Sequence, residues 1–331
     1  MQKSAITHHP PLVSILIPAY NCESWLGETI QCALDQTWEN KEVIVVNDGS
    51  TDRTQGIIDR FPGIITARQP NRGGSAARNH AFSLSKGDFI QYLDADDLLA
   101  PDKIEKQIIA LQSATERHIA SGPFGNFIHA PGDVTHKPDA GWKDYSYPLQ
   151  WLIDAAFDNA MFPPVVWLTP RHIIEEAGPW NEELSYNDDS EFFARVLLKS
   201  KGIVFTKDAW SYYRRGIKTS VGSRKNRKAL QSRLQSLNLV TRHMMSENSS
   251  LQTRNACACQ YHKFIFSIYP QYPDLYRSAR ENIKELNPSI RPHFGKGTFR
   301  VFSFLLGWKA AKWIRYYYYR MKSLLQGAKL A

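Results

Sequence analysis

The stretch GDFIQYLDADD, residues 87–97, begins as an apolar strand and ends in three acids. Its centre, FIQYL, is apolar enough to be buried, yet Asp94, Asp96 and Asp97 follow it at once. Carboxylates beside a core are costly unless donors or a cation compensate their charge. We therefore expect this strand to end at a site that uses its acids.

Strands and helices alternate upstream of this stretch. The apolar runs VSILIP (13–18) and EVIVV (42–46) indicate buried strands, and Ile64-Ile65 indicates a third. Helices are predicted between the strands, at about 25–34, 51–60 and 74–87. This order predicts a doubly wound, mostly parallel sheet.

Polar segments follow the predicted strands of this sheet. Ligands of such sheets bind at the carboxyl ends of the strands. Three segments fall there, namely Ala19-Tyr20-Asn21, Asn47-Asp48 and Asp94–Asp97. We expect them to meet at one edge.

The second part of the chain is less regular. Pro101 begins a further helix, VVWL (165–168) is predicted as a strand, and residues 115–163 have no clear pattern. The remaining predictions are helices at 171–177, 190–199 and 226–285 and a strand at 203–205.

The charge of the chain is concentrated at its end. The net charge is +9 over 331 residues, and residues 287–331 hold nine Lys or Arg and no acid. Removing these nine from the 41 basic residues leaves 32, against 32 acidic residues. Nucleic-acid-binding proteins more often spread positive charge over the folded body, so we expect no nucleic-acid partner.

Cysteine usage and the first residues bear on localisation. Cys22, Cys32, Cys257 and Cys259 form no CxxC pair, which favours a reduced, cytoplasmic protein. The start, MQKSAITHHPPL, has no apolar segment, so we expect no signal peptide.

The acids that end the fourth strand form a DxD motif. In an extended segment, Asp94 and Asp96 point to the same side, and two carboxylates suit Mg²⁺ or Mn²⁺ together with phosphate oxygens. The alternative is an ordinary solvated loop. Asp97 is expected to be structural, capping the next turn together with Asp96.

Two further motifs each allow two interpretations. NDGSTD (47–52) either places Asp48 on the base or ribose of a nucleotide or forms a simple turn. NRGGSAARN (71–79) either faces an anionic diphosphate with its helix start and Arg78 or only permits a tight entry into the helix.

These motifs together resemble the family-2 glycosyltransferases. VSILIPAYN, QTWENKEVIVVNDGSTD, NRGGSAARN and GDFIQYLDADD occur in the order of that family. The match is close over residues 12–105 and looser to about 215. It implies a GT-A fold, a Rossmann-like sheet flanked by helices, and inverting chemistry.

The resemblance also implies a division of the chain. Residues 1–220 would form the glycosyltransferase domain, with nucleotide-sugar binding in 12–105 and acceptor binding and catalysis in 106–220. Residues 221–331 would form a mainly helical extension with a basic, aromatic tail.

Site residues follow from the same resemblance. Asp96 would hold Mg²⁺ or Mn²⁺ with help from Asp94, and Asp189 would be the catalytic base beside Asp188. An alternative for Asp189 is a helix N-cap. Nucleotide-sugar binding is implied for Pro18, Ala19, Tyr20, Asn21, Asp48, Arg78, Asp94 and Ala95.

The sequence departs from the family pattern at a few positions. Asn47 replaces the first acid of the usual Asp-Asp-Gly-Ser, and Asp188-Asp189 replaces Glu-Asp. Many members carry a His after the Tyr-Arg segment, but none occurs between Arg214 and Lys228. The candidates to replace it are left open as Lys218, Ser220 and Arg224.

Acceptor recognition is the least specified function. Trp180 and Trp210 are candidate sugar-stacking platforms, because an aromatic face complements the C–H surface of a sugar. The alternative is that both tryptophans pack in the hydrophobic core.

The C-terminal segment mixes aromatic and basic residues. VFSFLLGW (301–308) and KAAKWIRYYYYRMK (309–322) are typical of a membrane interface, so peripheral membrane contact through 296–325 is one prediction. A helix packed on the body and a homo-oligomer contact are alternatives, and the charges do not keep to one helix face.

The predicted function is metal-dependent transfer of a sugar from a nucleotide sugar, most simply a UDP-sugar, to a hydroxyl of a glycan or glycolipid. One alternative is a nucleotidyltransferase, but PAYNCESW (18–25) is not the Gly-rich basic loop expected there. The other is a non-catalytic nucleotide-sugar or glycan-binding protein.

Overall fold

The structure is a computed structural model that describes residues 10–136, 138–158, 160, 162–217, 226–286 and 303–327. The chain forms two compact units, Met1–Glu247 and Asn248–Ala331.

A five-stranded sheet forms the centre of the first unit. Its strand order is β3-β2-β1-β4-β8, with β1–β4 parallel and β8 antiparallel to β4. Parallel strands are covered on both faces and therefore read as continuous apolar runs. The strands are β1 Val13–Ala19, β2 Lys41–Asn47, β3 Ile65–Arg68, β4 Phe89–Tyr92 and β8 Thr169–Pro170.

The register of the sheet brings the polar segments to one edge. Ala19 pairs with Asn47, and Leu16 pairs with Tyr92, so the segments after β1, β2 and β4 leave the sheet on the same side. The predicted sheet and its parallel direction are confirmed.

Four helices connect and follow these strands. They are α1 Leu26–Leu34, α2 Thr54–Ile58, α3 Gly74–Leu84 and α4 Lys103–Gln112. The helix predicted at 51–60 is shorter, and α3 ends before Gly87. Gly87 instead lies against β1, where an added Cβ would come within 2.5 Å of the Ser14 hydroxyl oxygen.

Smaller sheets complete the first unit. One has the order β5-β10-β7 and the other pairs β6 with β9. Their strands are β5 Leu98–Leu99, β6 His118–Ser121, β7 Phe124–Phe127, β9 Gly202–Phe205 and β10 Ser211–Arg214. The helices are α5 Pro148–Asp158, α6 Arg171–Ala177, α7 Asp188–Lys199 and α8 Arg227–Glu247.

The strand predicted for VVWL is wrong in its bounds. Pro164–Val166 forms a 3-10 turn, Leu168 forms an isolated antiparallel bridge with Ala120, and pairing with β4 begins at Thr169. Pro163 and Pro164 lack backbone N–H donors and cannot join a ladder there. The apolar run correctly predicted that these residues are buried, since residues 165–168 are at most 1% exposed.

The described residues of the second unit, 248–286 and 303–327, include three long helices. They are α9 Leu251–Ile268, α10 Pro273–Leu286 and a helix that we call α11, Trp308–Gly327. The Ser250 side chain caps α9 by accepting a hydrogen bond from the Thr253 N–H. Within the described ranges, no helix is both long and apolar enough to cross a membrane.

Candidate active site

The loops after β1 and β2 are bonded to each other. The Asn21 N–H donates to the Ser50 hydroxyl at 3.0 Å, and the Asn21 side-chain oxygen accepts from the Thr51 N–H at 2.8 Å. Asn21 has a φ of 46°, which a short amide side chain tolerates better than most. Beside these bonds, Tyr20 is 47% exposed. A flat aromatic side chain is thus available at the strand end, with Pro18 half-buried and Ala19 buried behind it.

Asp48 anchors the loop that leads into α3. Its carboxylate accepts hydrogen bonds from the Gln69 side chain at 2.8 Å, the Arg72 N–H at 2.9 Å and the Gly73 N–H at 2.8 Å. The residue is only 2% exposed. These bonds give Asp48 a structural role, and its contact with a nucleotide base stays a prediction.

Arg78 lies between two acids that come from different parts of the sequence. It forms ion pairs with Asp94 at 2.6 Å and Asp188 at 3.1 Å, and its side chain is 11% exposed. Its guanidinium also lies 4.5 Å from the centre of the Trp180 ring. Burial alone would lower the pKa of Arg78, but the charges of Asp94 and Asp188 hold it above its ordinary value. Arg78 is thus a permanently charged link between β4 and α7.

Asp96 is the acid of the DxD motif without an arginine partner. Burial, followed by the charge of Asp94, raises the pKa of Asp96 to about 6. Among the described residues, no ion pair compensates its carboxylate. The site therefore keeps negative charge that a cation can offset.

Asp97 ties the acidic loop to the small sheet. It is fully buried and accepts a hydrogen bond from the Arg214 N–H at 2.9 Å. Burial and the neighbouring acids raise the pKa of Asp97 well above its usual range. The structural role of Asp97 is therefore to link the acidic loop to β10. The expectation that it caps the next turn together with Asp96 is wrong.

Arg214 supports the acidic loop from behind, and sequence reasoning gave it no such role. Its side chain donates to the Asp96 carbonyl at 2.8 Å and pairs with Glu28 at 2.6 Å. It also lies over the rings of Trp25 and Phe127, at 4.4 and 4.3 Å. The available signal was the arginine after Tyr212-Tyr213, but pattern alone does not say what it contacts.

The acids at the start of α7 have different surroundings. Asp188 accepts a hydrogen bond from the Ser75 hydroxyl at 3.0 Å and pairs with Arg78. Asp189 accepts from the N–H of its neighbour Ser190 at 2.8 Å. Burial, followed by the charge of Asp188, raises the pKa of Asp189 to about 7. Asp189 is thus the carboxylate suited to exchange a proton near neutral pH.

Helix α8 fixes the entry into α7. Asn187 has a φ of 62° and occupies the cap position, so Asp189 is not the N-cap of this helix. The Asn187 side chain donates to the Ser236 hydroxyl at 2.9 Å, and that hydroxyl donates to the Asn187 carbonyl at 2.7 Å. Ser236 lies in a segment that the sequence assigned to the extension, and it positions the acids of the site.

A second ion-pair group holds the other side of α7. Glu191 pairs with Arg195 at 2.8 Å and His243 at 3.1 Å. Burial alone would raise the pKa of Glu191, but the hydrogen bonds of His243 and Arg195 hold it below its usual value. Arg195 also donates to the Pro179 carbonyl at 2.8 Å. Helix α7 is therefore bound to the loop before Trp180.

The two candidate sugar platforms differ. Trp180 is 2% exposed and stacks on Phe192 at 4.0 Å, with Tyr92 edge-on at 5.2 Å. It is a core residue with no face for an acceptor, so that prediction is corrected. Trp210 is half-buried and meets Trp142 edge-on at 5.9 Å. Trp210 therefore stays a prediction, and Lys218, Ser220 and Arg224 lie outside the described residues.

The donor set at the strand end fits a divalent cation that a ligand completes. Asp94 and Asp96 supply hard oxygens, and burial together with the charge of Asp94 raises the pKa of Asp96. No cluster of three or more His, Cys, Asp or Glu suited to a metal exists in the part of the chain that the structure describes. Mg²⁺ sites commonly use one or two carboxylates together with water and substrate phosphates. Ala95, between the two acids, accepts the Thr29 hydroxyl at its carbonyl at 3.0 Å, which fixes the loop.

The fold and the acid cluster define the class of protein. A mostly parallel sheet flanked by helices is the GT-A-like arrangement. Crystal structures of S. aureus TarS residues 1–349 share the fold, with a TM-score of 0.67 and 14% identity over 93% of this chain and 91% of that chain. The TarS complex with UDP-GlcNAc gives a TM-score of 0.70 at 14% identity and the same coverage.

The family follows from sequence comparison. Residues 14–153 match the model of glycosyl transferase family 2, so the chain contains a family-2 glycosyltransferase domain. The hyaluronan synthase of Pasteurella multocida is 44% identical over 223 residues, which cover 64% of this chain and 21% of the synthase. The chondroitin synthase of Pasteurella multocida strain Pm70 is 30% identical over 226 residues, covering 65% of this chain and 22% of that protein.

A third relative is of more similar length. The uncharacterized glycosyltransferase RT0329 of Rickettsia typhi is 40% identical over 195 residues, which cover 58% of this chain and 60% of the relative. This chain thus spans less than two thirds of each of these relatives. The expectation of a family-2 glycosyltransferase is confirmed for the domain.

Proposed function

We propose that the chain transfers a sugar from a nucleotide diphosphate sugar to a hydroxyl group of a glycan or glycolipid, with inversion at the anomeric carbon. One observation carries the proposal. Arg78 holds Asp94 and Asp188 together, and Asp96 and Asp189 beside them keep raised pKa values. A UDP-sugar donor is supported by the UDP-GlcNAc complex of TarS, which has the same fold.

Asp189 is the proposed catalytic base. The acceptor oxygen attacks the anomeric carbon opposite the leaving diphosphate, its O–H proton passes to Asp189, and the bond from carbon to phosphate oxygen breaks. A base works best when its pKa lies near the working pH, and the pKa of Asp189 is about 7. Asp188 is bonded to Ser75 and Arg78, so it has less capacity for the same task.

Arg78 has two proposed tasks that follow from its position. It holds the two acidic segments together through its ion pairs. It also supplies positive charge close to the start of α3, where a donor diphosphate would benefit from the helix N-terminus. The bonds of Asp48 to residues 69–73 keep the start of α3 in place.

The acids of the strand end are the proposed holders of Mg²⁺ or Mn²⁺. Asp96 is the principal ligand and Asp94 the second. When bound there, the cation would stabilise the negative charge that develops on the leaving nucleotide diphosphate. Asp97 contributes no ligand in this proposal, because it is buried against β10.

The acceptor and the location of the enzyme are also proposals. Trp210 is the remaining aromatic candidate for acceptor contact. Cytoplasmic nucleotide sugars are the expected donors, and an acceptor attached to lipid would require the enzyme to work beside a membrane. A homo-oligomer is left as a measurable alternative.

A nucleotide-release assay tests this function. The full chain is incubated with UDP-glucose, UDP-galactose, UDP-N-acetylglucosamine or GDP-mannose, with Mn²⁺ or with EDTA, and free nucleoside diphosphate is measured. We expect release from one donor well above the others, and lower release with EDTA.

Two outcomes would contradict the proposal. Donor binding by calorimetry without any nucleotide release, with a range of glycan acceptors present, would favour a non-catalytic binding protein. Release of pyrophosphate from a nucleoside triphosphate with a sugar phosphate would favour a nucleotidyltransferase. Glu183→Gln, at an exposed acid close to the site, is the matched control and should leave release unchanged.

A further inference from the structure

Helix α11 has a face that packs within the second unit. Trp308 lies 5.9 Å from the Phe266 ring and 5.5 Å from the Tyr269 ring, measured between ring centres. The Lys312 ammonium lies 4.2 Å from the Phe266 ring centre, and Ala311 is only 4% exposed. These contacts fix which side of α11 faces its own unit.

The opposite face of α11 is apolar and exposed. Ala310, Trp313, Ile314, Tyr317 and Met321 follow the spacing of one helical face about 100° wide. Their exposure is 50% for Trp313, 51% for Ile314, 40% for Tyr317 and 57% for Met321. The sequence indicated that the charges of this segment do not keep to one helix face, and none of these five positions is charged. We call these five residues the outer face.

A second exposed apolar segment precedes the helix. Phe304, Leu305 and Leu306 are 88%, 68% and 53% exposed, and Gly307, with a φ of 77°, separates them from α11. Contiguous exposed apolar surface of this kind marks an interaction site in most proteins. Together with the outer face, the segment places eight apolar or aromatic side chains in solvent.

We propose that the outer face and Phe304–Leu306 dock on the surface of an anionic lipid bilayer. Trp and Tyr side chains favour the headgroup level of a membrane, and flanking cations favour anionic lipid. Residues 287–331 carry nine basic residues and no acid, which supplies that charge. A second copy of the chain is the weaker candidate, because association would bring two such basic segments together.

This proposal stands apart from the sugar-transfer chemistry. It concerns a surface of the second unit and none of the acids of the site. A failure of the membrane experiment therefore leaves the nucleotide-release result as it is.

Vesicle flotation tests the proposal. The full chain is mixed with vesicles of phosphatidylcholine alone or with vesicles that also contain about 30% phosphatidylglycerol, which makes the surface anionic. We expect binding to the anionic vesicles only, and weaker binding at high salt because screening reduces the attraction. The double variant Ile314→Glu with Tyr317→Glu should bind at least about tenfold less.

A matched control separates this face from added negative charge. Ile109→Glu with Leu251→Glu adds the same two charges at exposed apolar positions, which are 55% and 63% exposed. This control should change vesicle binding less than about twofold, because neither position belongs to the outer face. Circular dichroism confirms that each variant is folded.

Three results would overturn the proposal. They are equal binding to neutral and anionic vesicles, unchanged binding of the Ile314→Glu, Tyr317→Glu variant, and no vesicle binding at all. Sedimentation velocity without lipid tests whether a second copy of the chain covers the outer face instead. An oligomer that dissociates only in that variant, with no vesicle binding, would assign the outer face to a second copy.

Discussion

The two acidic segments at the edge of the sheet are built on the same plan. In each, the first acid pairs with Arg78, at 2.6 Å for Asp94 and 3.1 Å for Asp188. In each, a following acid keeps a raised pKa, about 6 for Asp96 and about 7 for Asp189. One arginine thus forms ion pairs with the first acid of each segment, whereas the described residues form no ion pair with Asp96 or Asp189.

The segments differ in what holds them. The strand-end segment is fixed by Arg214, which bonds to the Asp96 carbonyl and to Asp97 through its N–H. The helix-start segment depends on Ser236 of α8 and on Glu191 with its partners. The sheet edge thus holds the acids proposed to bind a cation, whereas helix packing positions the proposed base.

The largest expected effect tests the division of work at the helix start. Asp189→Asn should lower turnover by about 10²–10⁴-fold, because the amide cannot accept the acceptor proton. Donor binding should be unchanged. Steady-state kinetics and calorimetric titration of the donor check both expectations. Retained turnover in Asp189→Asn would exclude it as the base.

The next effect tests the shared arginine. Arg78→Met should lower the free energy of unfolding by about 3–5 kcal/mol, because two carboxylates lose their buried partner. Urea unfolding at pH 7.5 measures this. Arg72→Met is the control, since its pair with Glu182 is exposed and should contribute less than about 1 kcal/mol. Similar losses in both variants would show that Arg78 does not join the segments.

A third prediction concerns the strand-end acids. Mn²⁺ at a hundredfold excess over its dissociation constant should raise the free energy of unfolding by about 2.7 kcal/mol. In Asp96→Asn, most of this gain should disappear, whereas Asp102→Asn, at a half-buried acid paired with Lys106, should keep it. Thermal unfolding with and without EDTA provides the measurement. Equal stabilisation of both variants would place the cation elsewhere.

The smallest expected effect is a pH dependence that separates the segments. Because the pKa of Asp189 is about 7, turnover should rise about tenfold from pH 6 to pH 8 as the base loses its proton. The free energy of unfolding should instead fall as the pH rises. A carboxyl whose pKa is raised on folding stabilises the protein below its unfolded pKa, near 4, and this contribution is lost as pH rises through 7.

Unfolding at pH 5 and pH 8 checks the sign. Wild type should lose more stability between these values than Asp189→Asn, which has no carboxyl to titrate. A turnover profile that is flat between pH 6 and pH 8 would contradict the pKa of Asp189 as the controlling group.

Local pattern predicted the central sheet well. Apolar runs such as VSILIP and EVIVV are long, β-branched and separated by helical spacing, so the strands β1 and β2 follow from the residues themselves. The order of the strands then brings the polar ends to one edge. The pattern failed at VVWL, because a buried apolar run resembles a strand in sequence. The consecutive prolines at 163 and 164 lack the N–H donors that the hydrogen bonds of a sheet need.

The candidate site was predicted in part. The motifs indicated Asp94, Asp96 and Arg78, but not that Arg78 reaches Asp188, which is 110 residues further along the chain. Sequence reasoning also kept Trp180 as a sugar platform, although it packs into the core beneath that arginine. Long-range contacts of this kind leave no periodic signal in the sequence.

From the residues alone, the sheet, its polar edge and the residue types that collect there could be predicted. Strand and helix periodicity and turn residues are local properties, so these features could be predicted from the residues. Which acids form ion pairs depends on the fold, because it decides that Arg78 reaches both Asp94 and Asp188. Burial in the fold also raises the pKa of Asp189. Packing within the second unit leaves the uncharged outer face of α11 exposed.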